Sequence, residues 1–379
     1  MYQRKINLLE LLEKKSYFLF GPRGVGKSFW IRQSLPEVPK IDLLNTAYFL
    51  KLSSNPHSLE SFIPSGARMV VIDEFQKIPQ LLDEVHRLIE ERGIHFLLTG
   101  SSTRKLKREN ANLLGGRART QYFHPLISCE IEDFDLFKYL RNGGLPTIYE
   151  SAEPHEDLMA YIDSFLREEI MMEAQVRNLP QFTRFLKTAA MCNGELVNFS
   201  RVGSDAEVPS STVREYFYLL QDTLMGFLIE PWRDSQQRKA IQTSKFYFFD
   251  VGIARALSGL SPIEIKTDAL GRAFEHWIAI ELKAYIEIQR ITKPLNFWRT
   301  VQQDEVDFVI PDDLALEVKA SERVREKMLR GLKKIKQEKK FKHHILVSLD
   351  PIPQEIDGIR CMDWRQFLKM LWEHQLISK

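Results

Sequence analysis

The chain has 379 residues, 44% of them hydrophobic, and 53 Lys and Arg nearly balance 51 Asp and Glu. That length sets an expectation of two or three domains, and the apolar content excludes a disordered chain. A net charge of +2 does not by itself point to nucleic acid, no apolar run approaches the ~18 residues of a membrane span, and MYQRKINLLELLEKK lacks a signal peptide's apolar core, so a cytoplasmic protein with no membrane partner is expected.

The first predicted element is a buried strand, Tyr17 to Phe20, followed at once by Gly21-Pro22-Arg23-Gly24-Val25-Gly26-Lys27-Ser28 and then a helical pattern beginning with Phe29. Strand, glycine-rich loop and helix is the context of a phosphate-binding loop, in which successive backbone N–H groups and the helix N-terminus close around an anion. The expected ligand is ATP with Mg²⁺. Lys27 reaches the β and γ phosphates, and the Ser28 hydroxyl ligates the metal.

A second strand, Met69 to Ile72, ends in Asp73 and Glu74. Ligands of parallel α/β sheets sit at the carboxyl ends of the strands, so Asp73 is expected beside the Mg²⁺ and Glu74 beside the attacking water as its base. A third, His95 to Leu98, is followed by Thr99, Ser101 and Ser102, any of which can bond a water or the γ phosphate; Ser101 is placed with the cofactor-binding residues. Then LLGGRART carries Arg117 and Arg119 on a loop. Arg117 is the expected catalytic arginine, presented to a neighbouring copy's nucleotide, with an ordinary surface arginine as the alternative.

From Glu153 the pattern turns helical, with Leu158, Tyr161, Ile162, Phe165, Ile170 and Met171 near a 3.6 period. Further on, Phe199 to Ala206 and Thr212 to Leu220 read as a helix pair joined by Pro209-Ser210-Ser211, with GFLIEP and KFYFFD as a following hairpin, the pattern of a winged helix-turn-helix. Arg214 is the second helix's clear cation, with Glu215 beside it, so DNA contact and simple packing both stand. Cys129, Cys192 and Cys361 are scattered, without disulfide or zinc spacing, and read as reduced thiols.

Near the C-terminus, EVDFVI and LALEVKA are two strands joined by the turn PDD. Residues two apart share a strand face, so Glu317 and Lys319 lie side by side and the hairpin brings Asp307 opposite Glu317. Two carboxylates sharing a divalent ion beside an ammonium suit phosphodiester hydrolysis. Glu275, on the exposed face of an amphipathic helix, is the expected further acid and metal ligand with Asp307 and Glu317, and His276 reads as a flanking polar residue. Ser321 to Lys342 then holds ten Lys or Arg against three Glu, a local +7 that leaves −5 elsewhere; a helix over Arg323 to Lys340 with Val324, Met328, Leu332 and Ile335 on one face would carry the cations around the rest. Such a surface suits sequence-nonspecific contact with DNA phosphates.

The set Asp307, Glu317 and Lys319, with Glu275 upstream, resembles the PD-(D/E)XK nuclease superfamily. Taken in order, FLFGPRGVGKS, VVIDEFQKIP, LLTGSS, LLGGRA, HPLI, GGLP, KFYFFDVGIARAL, GRAFEHWIAIEL, EVDFVI and LEVKA resemble a prokaryotic group of AAA-type ATPases with a winged helix and a C-terminal domain of unknown function. The resemblance implies an α/β architecture in three parts: an AAA-type parallel-sheet core over 1–150, a helical and winged-helix domain over 151–262, and a restriction-nuclease-like domain over 263–379. It further implies a homo-oligomer assembled through the arginine near position 117, in the extreme a hexameric ring. The leading expectation is an Mg²⁺-dependent ATPase that remodels or translocates on DNA, with cleavage at the C-terminal site using Mg²⁺ or Mn²⁺; the alternatives are a nucleotide-dependent switch or protein remodeller whose nuclease-like fold only binds.

Overall fold

The computed structural model describes residues 2–102, 114–173, 176, 178–232, 243–259, 267–338 and 341–378. The chain divides into two compact units, the first made of Met1–Leu126 with Leu145–Thr147 and Asp222–Met225, the second of the remainder.

In the first unit, α1 (Leu8–Lys14) leads into β1 (Ser16–Phe20), and α2 (Lys27–Ser34), β2 (Lys40–Asp42), α3 (Thr46–Ser54), β3 (Met69–Asp73), α4 (Leu81–Arg92), β4 (His95–Gly100) and β5 (Ala118–Tyr122) follow. The strands form one parallel sheet in the order β2-β3-β4-β1-β5. β1 is buried along its whole length because β4 and β5 flank it and both of its faces are covered, which is why SYFLF reads as a continuous apolar run. Phe18, Phe20, Ile72, Phe75, Phe96 and Leu98 pack with Leu52, Leu81 and Val85 into the unit's core. The three expected strands are therefore present, and their carboxyl ends share one edge of the sheet.

The second unit begins with a helical set: α5 (Leu136–Asn142), α6 (Pro154–Phe165), a π-helical continuation over Leu166–Glu173, α7 (Leu179–Met191), α8 (Phe199–Ala206) and α9 (Ser210–Asp222). Asn198 caps α8, accepting the Arg201 N–H, and α9 follows as expected but begins at Ser210, taking in two residues expected in the turn, and runs to Asp222. Next come β6 (Gly226–Pro231), β7 (Lys245–Phe248), α10 (Val251–Ser258) and α11 (Thr267–Gln289). The last segment holds β8 (Asn296–Arg299), β9 (Glu305–Ile310), β10 (Leu314–Lys319), α12 (Arg330–Glu338), β11 (His343–Ser348), β12 (Gln354–Ile356), β13 (Ile359–Asp363) and α13 (Trp364–Trp372). β6 and β7 pair as the predicted hairpin, but β6 also runs parallel to β8 through Glu230 and Asn296. The hairpin thus ends an eight-stranded sheet, β12-β13-β11-β10-β9-β8-β6-β7, that spans the boundary expected at 262. All four β7 residues are buried, which a solvent-lapped wing would not allow.

The basic segment also differs from expectation. Residues 321–325 are not helical: the Val324 N–H bonds Asp350 Oδ2 at 2.9 Å, and a short 3₁₀ turn, Glu326–Leu329, precedes α12. Lys339 and Lys340 lie outside the described residues. α12 packs so tightly on β9 that a Cβ at Gly331 would stand 1.8 Å from the Glu305 carbonyl oxygen, so glycine is required there.

Candidate functional site

The glycine-rich loop lies at the carboxyl end of β1. Gly21 N–H bonds the Gly100 carbonyl at 3.2 Å, and a Cβ on Gly21 would stand 2.3 Å from the Phe123 carbonyl, so the loop passes where only glycine fits. Gly24 and Gly26 are left-handed, at φ 75° and 90°. α2 starts at Lys27 with Gly26 as a cap that supplies no side-chain acceptor, which leaves the first-turn N–H groups available to an anion. Pro22 and Val25 are buried, Arg23 and Ser28 half-buried, Gly24 and Phe29 exposed. Lys27 is buried and folds back over the loop, its Nζ 2.5 Å from the Gly21 carbonyl and 2.9 Å from that of Pro22. An open backbone cradle with one buried ammonium across it fits a polyphosphate.

Asp73 and Glu74 follow at the end of β3. Glu74 is left-handed, φ 58°, an uncommon conformation for a side-chain-bearing residue and one that concentrates at functional sites. The Thr99 hydroxyl donates to Asp73 Oδ1 and receives the Glu74 N–H at 3.3 Å, so of the three candidate hydroxyls it is Thr99 that touches the acids. Ser101 is met by Gln76 Nε2 at 3.2 Å, and Ser102 donates to the Asp222 carbonyl at 3.1 Å. Burial raises the Glu74 pKa from its ordinary value, and the nearby Lys27 charge opposes that. A carboxyl so poised is suited to taking a proton from water.

Arg117 precedes β5, which runs parallel to β1 with Ala118 level with Ser16 and Tyr122 level with Phe20. Both Arg117 and Arg119 therefore stand at the opposite end of the sheet from the P-loop, roughly 15 Å of strand away. Arg117 pairs through Nε with Glu90, while Arg119 is exposed. Neither is within reach of its own chain's phosphate loop.

In the second unit, β9 and β10 pair with Leu316 across from Phe308, and the same register puts Glu317 across from Asp307. Lys319 Nζ lies 2.5 Å from Glu317 Oε1 and 3.5 Å from Asp307 Oδ2, and that Asp307 oxygen also accepts the Val318 N–H at 2.8 Å. Asp307 and Glu317 are buried, and Glu317 Oε2 has no hydrogen-bond partner among the described residues. Burial and the Asp307 charge push the Glu317 carboxyl well above its ordinary pKa, against the pull of Lys319. Burial alone would lower Lys319, but the two carboxylates overcome it and hold its pKa above the ordinary lysine value.

Glu275 is half-buried on α11, not on an exposed face as expected, because β7 packs over it: Tyr247 Oη donates to Glu275 Oε1 at 2.7 Å, and Lys245 Nζ stands 3.4 Å from the same oxygen. Among the described residues no group of three or more His, Cys, Asp or Glu is disposed to hold a metal ion. His276 is a satisfied core histidine, Nε2 bonded to the Phe248 carbonyl at 2.6 Å and Nδ1 to Asn193 at 3.1 Å, with burial lowering its pKa to about 4.

Four participants carry no spacing signal. Gln76 Nε2 holds Glu74 Oε2 at 2.6 Å, and Pro146 lies 3.8 Å from where a Cβ on Gly26 would stand, although GGLP read only as a break in the pattern. Lys245 and Tyr247 belong to a strand expected to be a wing. A buried lysine inside KFYFF was the one available hint.

A five-stranded parallel sheet with a P-loop at the end of β1, between β4 and the edge strand β5, and paired acids at the end of β3, is a P-loop core like that of AAA ATPases. Residues 13–132 match the family described as AAA domain, 133–264 a domain of unknown function (DUF8612), and 270–367 a domain of unknown function (DUF4143). An uncharacterized protein of Methanocaldococcus jannaschii is 21% identical over 338 residues, 80% of this chain and 73% of its own length. One of Haemophilus influenzae is 24% identical over 223 residues, 53% of this chain and 56% of its own. Among solved structures, the Aeropyrum pernix Orc1 protein in complex with DNA matches at a TM-score of 0.28 and 14% identity, covering 66% of this chain and 90% of that one. A STAND protein with a tetratricopeptide repeat sensor from Pyrococcus horikoshii matches at 0.23 and 14%, covering 76% and 47%. At such TM-scores these two define no common arrangement of the whole chain. Among the described residues no helix is long and apolar enough to cross a membrane.

Proposed function

We propose that this chain is an Mg²⁺-dependent ATPase whose second unit engages DNA phosphates and cleaves phosphodiesters at Asp307, Glu317 and Lys319. In the first unit, Gly21 to Phe29 cradle the triphosphate, Lys27 and Ser28 contact the phosphates and metal side, Asp73 stands beside Thr99 on the metal side, and Glu74 takes the proton of the attacking water. When bound, Mg²⁺ supplies charge neutralisation on the phosphate oxygens. The placement of Arg117 at the far end of the sheet supports action on a second copy's nucleotide, hence a homo-oligomer, with a ring as the closed form of such head-to-tail contacts.

The observation that carries the DNA reading is the buried Asp307–Glu317 pair with Lys319 on it and a Glu317 oxygen without a partner among the described residues, followed in the chain by Arg323, Arg325 and Lys327. Those three cations are exposed and make no ion pair among the described residues, whereas Arg330, Lys333 and Lys342 are engaged by Asp304, Glu326 with Asp357, and Asp313. Unpaired cations that follow a buried carboxylate site in the chain suit a polyanionic backbone. The helix pair α8 and α9 is read as a packing module, in which Arg214 lies over the Phe199 ring at 5.3 Å.

A second reading, a nucleotide-dependent switch with an inactive nuclease-like fold, draws support from Lys245, which is 5% exposed and already neutralises Glu275. The test is Mg²⁺- or Mn²⁺-dependent cleavage of linear, single-stranded and branched DNA, with and without ATP, by the protein and its Lys319→Ala variant. Cleavage lost in the variant supports the first reading; no cleavage of any substrate by either protein rejects hydrolysis and leaves the switch.

A further inference from the structure

The acid site contains two ammonium groups of very different freedom. Lys319 reaches Glu317 and Asp307 with a side chain 36% exposed, so it can swing aside. Lys245 is 5% exposed, stands 2.6 Å from Glu305 Oε1 and 3.4 Å from Glu275 Oε1, and lies over the Phe297 ring at 5.5 Å. Arg299 completes this half of the cluster, its Nη1 2.9 Å from Glu305 Oε2. Glu275 and Glu305 are thus balanced by Lys245 and Arg299, a set with no net charge, and Tyr247 Oη occupies Glu275 Oε1 as well. What remains is Asp307 and Glu317 against Lys319, one negative charge in excess once both carboxyls are ionised as a bound cation requires, with Glu317 Oε2 buried and without a partner among the described residues.

We propose that Lys245 and Tyr247, both from β7, withdraw Glu275 from metal ligation, so that this site takes one divalent cation, on Asp307 and Glu317, and no second one. A dication there turns the excess charge to +1, which a single phosphodiester anion neutralises. A second dication on Glu275 would face, like charge against like charge, an ammonium that burial and its pairing with Glu305 hold in place. Lys245 and Tyr247 are positioning residues: they act through Glu275, and through it they tie the hairpin of β6 and β7 to the chemistry of β9 and β10. The inference rests on the reading of Asp307 and Glu317 as a metal site.

The test counts Mn²⁺ by the loss of its free paramagnetic resonance signal in nucleotide-free full-length protein, taking as site-specific only the ions lost in Glu317→Gln. One such ion is expected in the unmodified protein. Glu275→Gln, nearly isosteric, should leave that ion's affinity unchanged within about twofold, whereas loss of a true ligand lowers it by at least roughly tenfold, the lower limit seen even for outer partners of ligands. Lys245→Met frees Glu275, and a second ion is expected, removed again by adding Glu275→Gln. Two ions in the unmodified protein, a tenfold loss in Glu275→Gln, or a single ion in a folded Lys245→Met variant would each overturn the proposal while leaving Asp307 and Glu317 as ligands. No Glu317-dependent ion at all would overturn the metal-site reading itself, and this inference with it.

Discussion

Glu281 offers a measurable pH signature of the second unit. It lies on α11, fully buried, with Oε1 accepting the Ser128 N–H at 2.6 Å and Oε2 the Trp372 indole N–H at 3.3 Å. Burial raises its pKa from 4.5 to about 7 despite those bonds. A carboxyl whose folded pKa is raised stabilises the fold when protonated, and that contribution is lost as pH climbs from the unfolded to the folded value. With one pKa unit worth about 1.36 kcal/mol, Glu281 should cost the folded state about 2.5 kcal/mol between pH 5 and pH 8. Glu281→Gln removes the titration and, with one acceptor oxygen for two donors, adds a pH-independent cost of roughly 1–3 kcal/mol. Urea unfolding followed by tryptophan fluorescence reports mainly on this unit, which holds Trp232, Trp277, Trp298, Trp364 and Trp372. The stability lead of the unmodified protein over Glu281→Gln should shrink by about 2.5 kcal/mol across that range. Profiles that stay parallel would refute the link between burial, titration and stability.

Glu74→Gln should bind ATP normally yet hydrolyse it about 10²–10⁴-fold more slowly, as measured by phosphate release against nucleotide-binding fluorescence. Gly331→Ala should destabilise the second unit by about 2–4 kcal/mol, because its Cβ meets the Glu305 backbone at 1.8 Å; a melting temperature unchanged from the parent would contradict the close packing of α12 on β9. Replacing Arg323, Arg325 and Lys327 with alanine should lower the slope of log affinity for duplex DNA against log salt by roughly 2–3, and an unchanged slope would place the DNA contact elsewhere. Arg117→Ala should lose about 10³-fold or more in ATP turnover with binding intact, and mixing it with Lys27→Ala should restore part of the rate only if the arginine serves a neighbouring copy.

Local sequence determined the parts whose physics is local. A loop of glycines between an apolar run and a helix has few uses other than closing on phosphate, and the strands ending at Asp73 and Gly100 were legible because both faces of a parallel strand are buried and the residues read as continuous apolar runs. The helix pair over Phe199 to Asp222 was legible from its Pro209-Ser210-Ser211 turn, while the Asn198 cap was not read from the sequence. Asp307, Glu317 and Lys319 came together because hairpin register is a short-range property. Tertiary structure alone decided the rest. Which hydroxyl meets Asp73 depends on the alignment of β3 with β4, and the distance of Arg117 from the phosphate loop depends on β5 running parallel to β1. The hairpin read as a wing joined the C-terminal sheet because β6 found β8, a pairing between segments more than sixty residues apart, and that pairing carried Lys245 and Tyr247 onto Glu275. Charge pairing in a buried cluster follows from which strands become neighbours, and strand neighbours distant in sequence leave no periodicity to read.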